Sequence, residues 1–199
     1  CRRSTAFLRE SAMAESFSRK GAFHLPIDIV EISEQNMLDL PLRDQPYDII
    51  GKMKIIYDGV WSYTEQLFDH PIHKDFPEDE DCRDEYYHCP DKTAFLAYVD
   101  GAFAGDIRLK CDWNLYAFID NIGIVPEFRG MGIGTILMEA AAKWAKAMDM
   151  KGLALEMQDT NLMAARFYRK NGFEIGGINT RFYTNFHNDE IAVFWYKGI

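Results

Sequence analysis

A strand that runs directly into three alternating glycines, and from them into a helix, constrains this chain more than any other feature. Tyr116–Val125 reads YAFIDNIGIV, an apolar strand stopped by Pro126. Gly130-Met131-Gly132-Ile133-Gly134-Thr135 follows at once. The hydrophobic period then changes. Ile133, Ile136, Leu137, Ala140, Ala141, Trp144, Ala145 and Met148 recur at helical spacing, which predicts a helix with one buried face, ending near Gly152. Glycines reach φ > 0 and let backbone N–H groups approach a ligand with no Cβ in the way. The helix start adds unpaired donors and about half a positive charge. Together these make an anion site, and a pyrophosphate is the natural guest.

Several turns share this outline. A P-loop requires Lys-Ser/Thr after the last glycine, and Ile133-Gly134-Thr135 supplies no lysine. A dinucleotide-binding turn requires GxGxxG, whereas the spacing here is GxGxG, although Glu156 lies about twenty residues on as that fold prefers. Arg129-x-x-Gly132-x-Gly134 fits the coenzyme A pyrophosphate turn of acyltransferases. A glycine-rich connection chosen for tight helix–sheet packing is the plainest alternative.

The rest of the chain supplies the frame. Ile27–Ile32 reads as a strand, and Ser33 as the cap of a short helix through Leu40. Pro41 and Pro46 bracket a loop. Ile49–Tyr57 and Val60–Phe68 flank Asp58-Gly59, a hairpin signal. Residues 69–92 read as a solvated loop. Thr93–Val99 and Ala102–Lys110 flank a second such turn, Asp100-Gly101. After the long helix come a strand at Leu153–Met157 and a helix capped by Asp159 or Thr160 that runs through Lys170. Asn171-Gly172 stops that helix, and closing strands are expected at Phe173–Ile178, Arg181–Tyr183 and Ile191–Tyr196. Hairpins followed by strand–helix–strand–helix–strand predict an α+β fold with one mixed sheet. Residues 25–199 form a single domain in this reading.

Charge and composition narrow the partners. The 199 residues carry 22 Lys and Arg against 31 Asp and Glu, a net charge of −9. Nucleic acid and anionic membranes are therefore poor partners, and cationic small molecules are better ones. Residues 1–24 hold five basic and two acidic residues, a net +3, without the apolar stretch of a signal peptide. They read as a flexible N-terminal tail; Glu10 and Glu15 count against a transit peptide. Cys1, Cys82, Cys89 and Cys111 are too few and too irregular for a disulfide scaffold, which favours a reducing, cytoplasmic setting. Cys82, Cys89 and His88, with His70 and His73, show neither CxxC nor HExxH spacing, so no metal site is expected.

A second constellation follows the glycine turn. Residues 156–173 read EMQDTNLMAARFYRKNGF. Asn161 stands at a helix start, and Tyr168 lies seven residues on, two turns along the same face. With a thioester above that face, the Tyr168 hydroxyl could protonate the departing thiolate. A tyrosine on an amphipathic helix also serves simply as core.

Arg129-x-x-Gly132-x-Gly134, then Asn161, Ala164, Phe167-Tyr168 and Gly172-Phe173, in this order and at these distances, resemble the GNAT superfamily of acetyl-CoA-dependent N-acetyltransferases. WNLYAFIDNIGI, LALEMQDTNLMAARFYRKNGFEIGGINT, EIAVFWY and the acidic stretch before Tyr86-Tyr87 are more specifically similar to the streptothricin (nourseothricin) acetyltransferases, over roughly Tyr47 to Tyr196. The resemblance implies a mostly antiparallel sheet with helices on both faces, acetyl-CoA as cofactor, and acetylation of a primary amine on a cationic antibiotic, hence resistance. It also implies direct attack of the amine on the thioester. Two departures bear on the acceptor. Ile119-Asp120-Asn121 stands where Ile-Glu-Asp is expected, and Asn179-Thr180-Arg181-Phe182-Tyr183 where Asp-Thr-Met-Leu-Tyr is expected.

On this resemblance, main-chain groups of Ile122, Gly123 and Ile124 pair with the pantetheine, as an added strand would. Backbone groups from Arg129 through Gly130, Met131, Gly132, Ile133, Gly134 and Thr135 hold the pyrophosphate. Asn161 steadies the reactive end, and Tyr168 is the general acid. Glu156 is the favoured base, as resembling enzymes use an acid there, with Asp120 as the other candidate. Trp113, Tyr116 and Asp159 are expected to line the acceptor pocket, with the run Glu78–Asp81 steering a polycation towards it. The expected assembly is a monomer or homodimer. A GNAT acting on a polyamine, amino sugar or peptide N-terminus, and a non-catalytic acyl-CoA-binding module, are the alternatives.

Overall fold

Residues 26–78, 80–184 and 190–199 are described by the structure, a computed structural model. The expected tail at 1–24 and Asp79 of the acidic run lie outside the described residues. In chain order the strands are β1 (Ile27–Glu31), β2 (Tyr47–Tyr57), β3 (Trp61–Lys74), β4 (Lys92–Val99), β5 (Ala102–Cys111), β6 (Tyr116–Ile124), β7 (Gly152–Gln158), β8 (Glu174–Asn179) and β9 (Ala192–Gly198). The α-helices are α1 (Arg83–His88), α2 (Ile133–Ala147) and α3 (Leu162–Lys170). Seven strands form one sheet in the order β1-β4-β5-β6-β7-β9-β8, and β2 and β3 form a separate two-stranded sheet. Every pairing is antiparallel except β6 with β7.

The two faces of the sheet are covered by different helices, as alternation along β4 shows. Ala97 and Val99 join the main core with Leu137, Ala141 and Ala145 of α2 and Leu162, Ala165 and Tyr168 of α3. Ala94 and Leu96 point the other way, into a smaller cluster with Ile32, Leu40 and Tyr86 of α1. Among the described residues no helix is long and apolar enough to cross a membrane.

Local chemistry explains most boundaries. Asp100 and Gly101 both take positive φ, as a two-residue hairpin turn demands. Asp149 in the left-handed region ends α2, before the expected Gly152. Four expectations are corrected. The helix expected from Ser33 to Leu40 is only a 3-10 turn at Met37–Asp39, because Asn36 turns its Oδ1 back to the Ser33 N–H (2.7 Å). The span 69–92 is not all loop. β3 runs on to Lys74 as the partner of Tyr47, and Tyr86 draws α1 into the smaller core. The cap of α3 is Asn161, whose Oδ1 accepts from Ala164 N (3.1 Å), and not Asp159 or Thr160. Arg181–Tyr183 is a turn. Asn179 starts it by accepting from Arg181 N (2.9 Å), and the Phe182 ring turns in against Phe194.

Candidate active site

Parallel pairing between β6 and β7 holds only from Tyr116/Gly152 to Ile119/Leu155. Beyond that point the strands splay, and Asp120–Ile124 and Glu156–Gln158 face each other across a gap. Two adjoining cavities fill it. One, of about 580 Å³, extends along Ile122–Ile124 to the glycine turn. The other, of about 180 Å³, is lined by Asp120, Asn121, Glu156, Asp44, Tyr47 and Phe76 among others. Asn161, Ala164 and Tyr168 belong to the walls of both.

The larger cavity suits a coenzyme A tail. Gly130 and Gly132 have φ of +83° and +84°, with nothing within 4 Å of the position a Cβ would take. Their need for glycine is conformational, and they leave the cradle open. Gly134 differs: a Cβ there would meet the Phe167 ring at 3.0 Å, so it lets α2 approach α3. The cradle reading and the packing reading thus apply to different glycines of one turn. Among the described residues no backbone acceptor takes the N–H groups from Gly130 to Gly134; the first bonds of the helix are Thr135 N and Ile136 N to Gly132 O. These free donors at a helix start, with the open edge of β6 beside them, fit a diphosphate and its amide-bearing arm. Gly130, Gly132, Ile133, Gly134 and Thr135 line this cavity with Ile122, Gly123 and Ile124, whereas Met131 points to solvent at 39% exposure. The Arg129 guanidinium is already engaged. It donates to Ile124 O (3.0 Å) and Pro46 O (2.8 Å), tying the end of β6 to the segment before β2. Its side chain therefore shapes the turn, while the residue still belongs to the wall of the larger cavity.

In the smaller cavity, Glu156 is mostly buried, and burial raises its carboxyl above the usual range. The Tyr183 hydroxyl donates to its Oε1. Tyr168 is 7% exposed, and its ring packs against Phe173 and Trp195. Burial, reinforced by the charges of Glu156 and Asp44, pushes its phenol well above the ordinary range, so it keeps its proton. Both carboxylate oxygens of Asp120 are already engaged: Lys110 Nζ lies 2.6 Å from Oδ1, and the Tyr86 hydroxyl donates to Oδ2 (3.2 Å).

Three expected acceptor residues are placed elsewhere. Tyr116 lies where β6 and β7 are still paired, edge-on against Tyr196 at 5.2 Å; it is four residues, roughly 13 Å of strand, from Asp120. Trp113, in the preceding turn, is 90% exposed at that same closed end. Asp159 is fully buried. Its Oδ2 pairs with Lys52 (3.3 Å) and its Oδ1 accepts from Ile191 N (3.0 Å), so it fastens β2 and the start of β9 instead of meeting a substrate. Asn121, the first departure, donates Nδ2 to Oδ2 of the buried Asp106 at 3.3 Å; an aspartate here would set two carboxylates against each other.

Several wall residues went unread in the sequence. Asp44 and Gln45 come from the Pro41–Pro46 loop, which Arg108 holds at Pro41 O and Arg129 at Pro46 O. The two prolines mark that loop's ends and say nothing of where it goes. Tyr47 and Phe76 come from the two ends of the β2–β3 hairpin. Tyr183 carries no signal beyond its place in a departing stretch.

An open-edged mixed sheet with a glycine cradle and a buried carboxylate beside a protonated tyrosine defines a coenzyme A-dependent acyltransferase. The chain belongs to the acetyltransferase (GNAT) family, whose model matches residues 56–173. It is an N-acetyltransferase that uses acetyl-CoA. The chain is 39% identical to streptothricin acetyltransferase A of Bacillus subtilis (strain 168) over 84% of its own length and 98% of that protein's. A streptothricin acetyltransferase of Escherichia coli is 35% identical over 63% of this chain and 70% of its own. Among solved structures, a Bacillus anthracis str. Ames protein assigned as a streptothricin acetyltransferase, in complex with acetyl coenzyme A, superposes with a TM-score of 0.80 at 29% identity, covering 88% of this chain and 99% of that one. A nourseothricin acetyltransferase gives 0.72 at 26% identity, covering 86% and 98%.

Proposed function

We propose that this chain acetylates a primary amine of a streptothricin-type cationic antibiotic, by direct attack of that amine on the thioester of acetyl-CoA. The observation that carries the reading is the mostly buried Glu156 carboxylate in the wall of the smaller cavity, which shares Tyr168 with the larger one. The names of the relatives point to the same acceptor class.

When bound, acetyl-CoA supplies an activated acetyl thioester. Backbone N–H groups from Gly130 to Thr135 are the ones to hold its diphosphate, and Ile122–Ile124 its amide-bearing arm. Asn161 spends its Oδ1 on the α3 cap and keeps its amide nitrogen for the cavity it lines. An amine with a pKa of ~10.4 arrives protonated and must lose that proton before it attacks. Glu156 takes it; a carboxyl raised by burial is a better match to neutral pH than an ordinary one. Tyr168 holds a proton at its hydroxyl for the departing thiolate. Tyr47 and Phe76 line the smaller cavity with Asp120 and Glu156, and their rings already hold a cation of the chain itself, Lys74 Nζ at 5.8 and 5.7 Å from the centroids.

The test is release of coenzyme A thiol with streptothricin, spermidine and an aminoglycoside as acceptors. Turnover with streptothricin far above the others is expected. Turnover with spermidine or an amino sugar alone would shift the assignment to another amine.

A further inference from the structure

The Glu156 carboxylate has one hydrogen-bond partner among the described residues, Tyr183, bound at Oε1. Tyr183 is 9% exposed and belongs to the turn that follows β8. That turn is pinned from two directions. Asn179 Oδ1 accepts from Arg181 N at 2.9 Å, and the Phe182 ring meets both Tyr183 and Phe194 edge-on, at 5.3 and 5.8 Å. Phe194 is the register partner of Glu156 across β7 and β9. The tyrosine is thus anchored to the same rung of the sheet as the carboxylate it touches.

We propose that Tyr183 is the positioning residue of the acetyl transfer, its hydroxyl clamping Oε1 of Glu156 so that the other carboxylate oxygen is presented to the acceptor amine. This rests on the reading of Glu156 as the base. A neutral donor suits the task. The nearby cation, Lys74, is bound to Glu190 at 2.7 and 2.8 Å, and a lysine placed on Glu156 itself would cost it basicity. Tyr183 restricts the carboxylate with a single hydrogen bond.

Among the described residues, the charged and titratable groups facing Glu156 are Tyr183, Glu190 and Lys74, with Tyr168 from α3; Tyr47 of β2 lies close to Tyr183. Burial and Glu190 raise the carboxyl, whereas Tyr183 and Lys74 lower it. Removing the phenol hydroxyl removes a lowering influence. Glu156 then ionises at higher pH, and the acid limb of kcat/KM moves up.

The experiment measures kcat/KM against pH for the full chain and for Tyr183→Phe. An upward shift of the acid limb by about one pH unit is expected, with the KM for acetyl-CoA unchanged. A profile lowered at every pH with its limb in place would mean a merely structural role and overturn the proposal. In a Glu156→Gln background, Tyr183→Phe should have no further effect on the profile. Should Tyr183→Phe fold poorly, site-specific 3-fluorotyrosine at 183, a stronger donor of the same shape, should move the limb down. Carboxyl NMR titration of Glu156 separates this idea from the choice of acceptor. If no amine is acetylated, the proposed function fails on its own. Identical Glu156 titrations in the wild type and Tyr183→Phe would sink the clamp whatever the acceptor.

Discussion

The two halves of the site are built by opposite means. The half proposed for the cofactor has one side built from a continuous stretch, Ile122 to Thr135, in which a strand, a turn and a helix start succeed one another. The acceptor half is gathered from distant places: Asp44 and Gln45 before β2, Phe76 after β3, Glu156 on β7 and Tyr183 after β8. What recurs in every substrate, a diphosphate on an arm, is met by backbone geometry written in local sequence. What differs between substrates is met by side chains that only the tertiary fold assembles. An acceptor pocket of this kind can change one loop at a time without disturbing the cradle.

The sharpest test of that division removes the acid of the acceptor half. Glu156→Gln should lower turnover by roughly 10²- to 10⁴-fold, the usual range for a lost general base, with acetyl-CoA affinity preserved. Asp120→Asn should cost far less, because its carboxylate is already paired with Lys110. Equal losses from the two, measured as kcat/KM across pH, would dissolve the distinction between them.

Next in size is the fastening of the hairpin that carries Tyr47. Lys52 pairs with Asp159, whose side chain is wholly inaccessible to solvent. Lys52→Met leaves that carboxylate buried with, among the described residues, only the Ile191 N–H, at a cost of about 3–5 kcal/mol. Thermal unfolding should show it as a fall of roughly 6–20 °C in Tm. Asp159→Asn should cost less, since it leaves no charge stranded. A drop of under a degree in Lys52→Met would show that the hairpin is held by its apolar contacts alone.

The way the sequence was legible follows the same line. Gly130, Gly132 and the helix start could be read because φ > 0 and orphan N–H groups are consequences of local residue choice. Even there the reach of the Arg129 guanidinium to Pro46, 83 residues away, leaves no local mark. Most of the sheet was legible through alternation and the Asp100-Gly101 turn. Trp113 and Tyr116 were misplaced because proximity along β6 says nothing of which end opens. That depends on where pairing with β7 stops, and a strand carries no mark of its partner's departure. Tyr183 was hidden for a related reason. Its Glu156 contact closes a loop of 27 residues through a turn that reads as a strand.

A finer break lies within the glycine turn itself. Gly132→Ala meets no neighbour but must hold φ near +84°, a strain of about 1–2 kcal/mol for a residue with a Cβ. Gly134→Ala keeps ordinary helical φ and presses on Phe167 at 3.0 Å. The first should raise the KM for acetyl-CoA, because relief of strain comes by tilting the very N–H groups proposed to hold the diphosphate. The second should act through α3, shifting Phe167 and the neighbouring Tyr168, and so lower kcat more than it raises KM. Reversed signatures would mean that Gly134, not Gly132, shapes the cradle.

The smallest effect is the most useful control. Arg166 of α3 binds Glu65 of β3 through two nitrogens, yet both side chains remain partly exposed, at 40% and 24%. Water and salt compete for such a pair, so Glu65→Gln should cost only about 0.2–1 kcal/mol, less at high ionic strength. The pair nevertheless ties the hairpin to the helix that bears Tyr168. Were Glu65→Gln to lower turnover with a cationic acceptor while stability hardly moved, the acceptor half would owe its shape to contacts too weak to register in unfolding. A pocket held so loosely could readmit a different amine after a single exchange, whereas no surface substitution of that strength could reshape a cradle fixed by the φ angles of its own glycines.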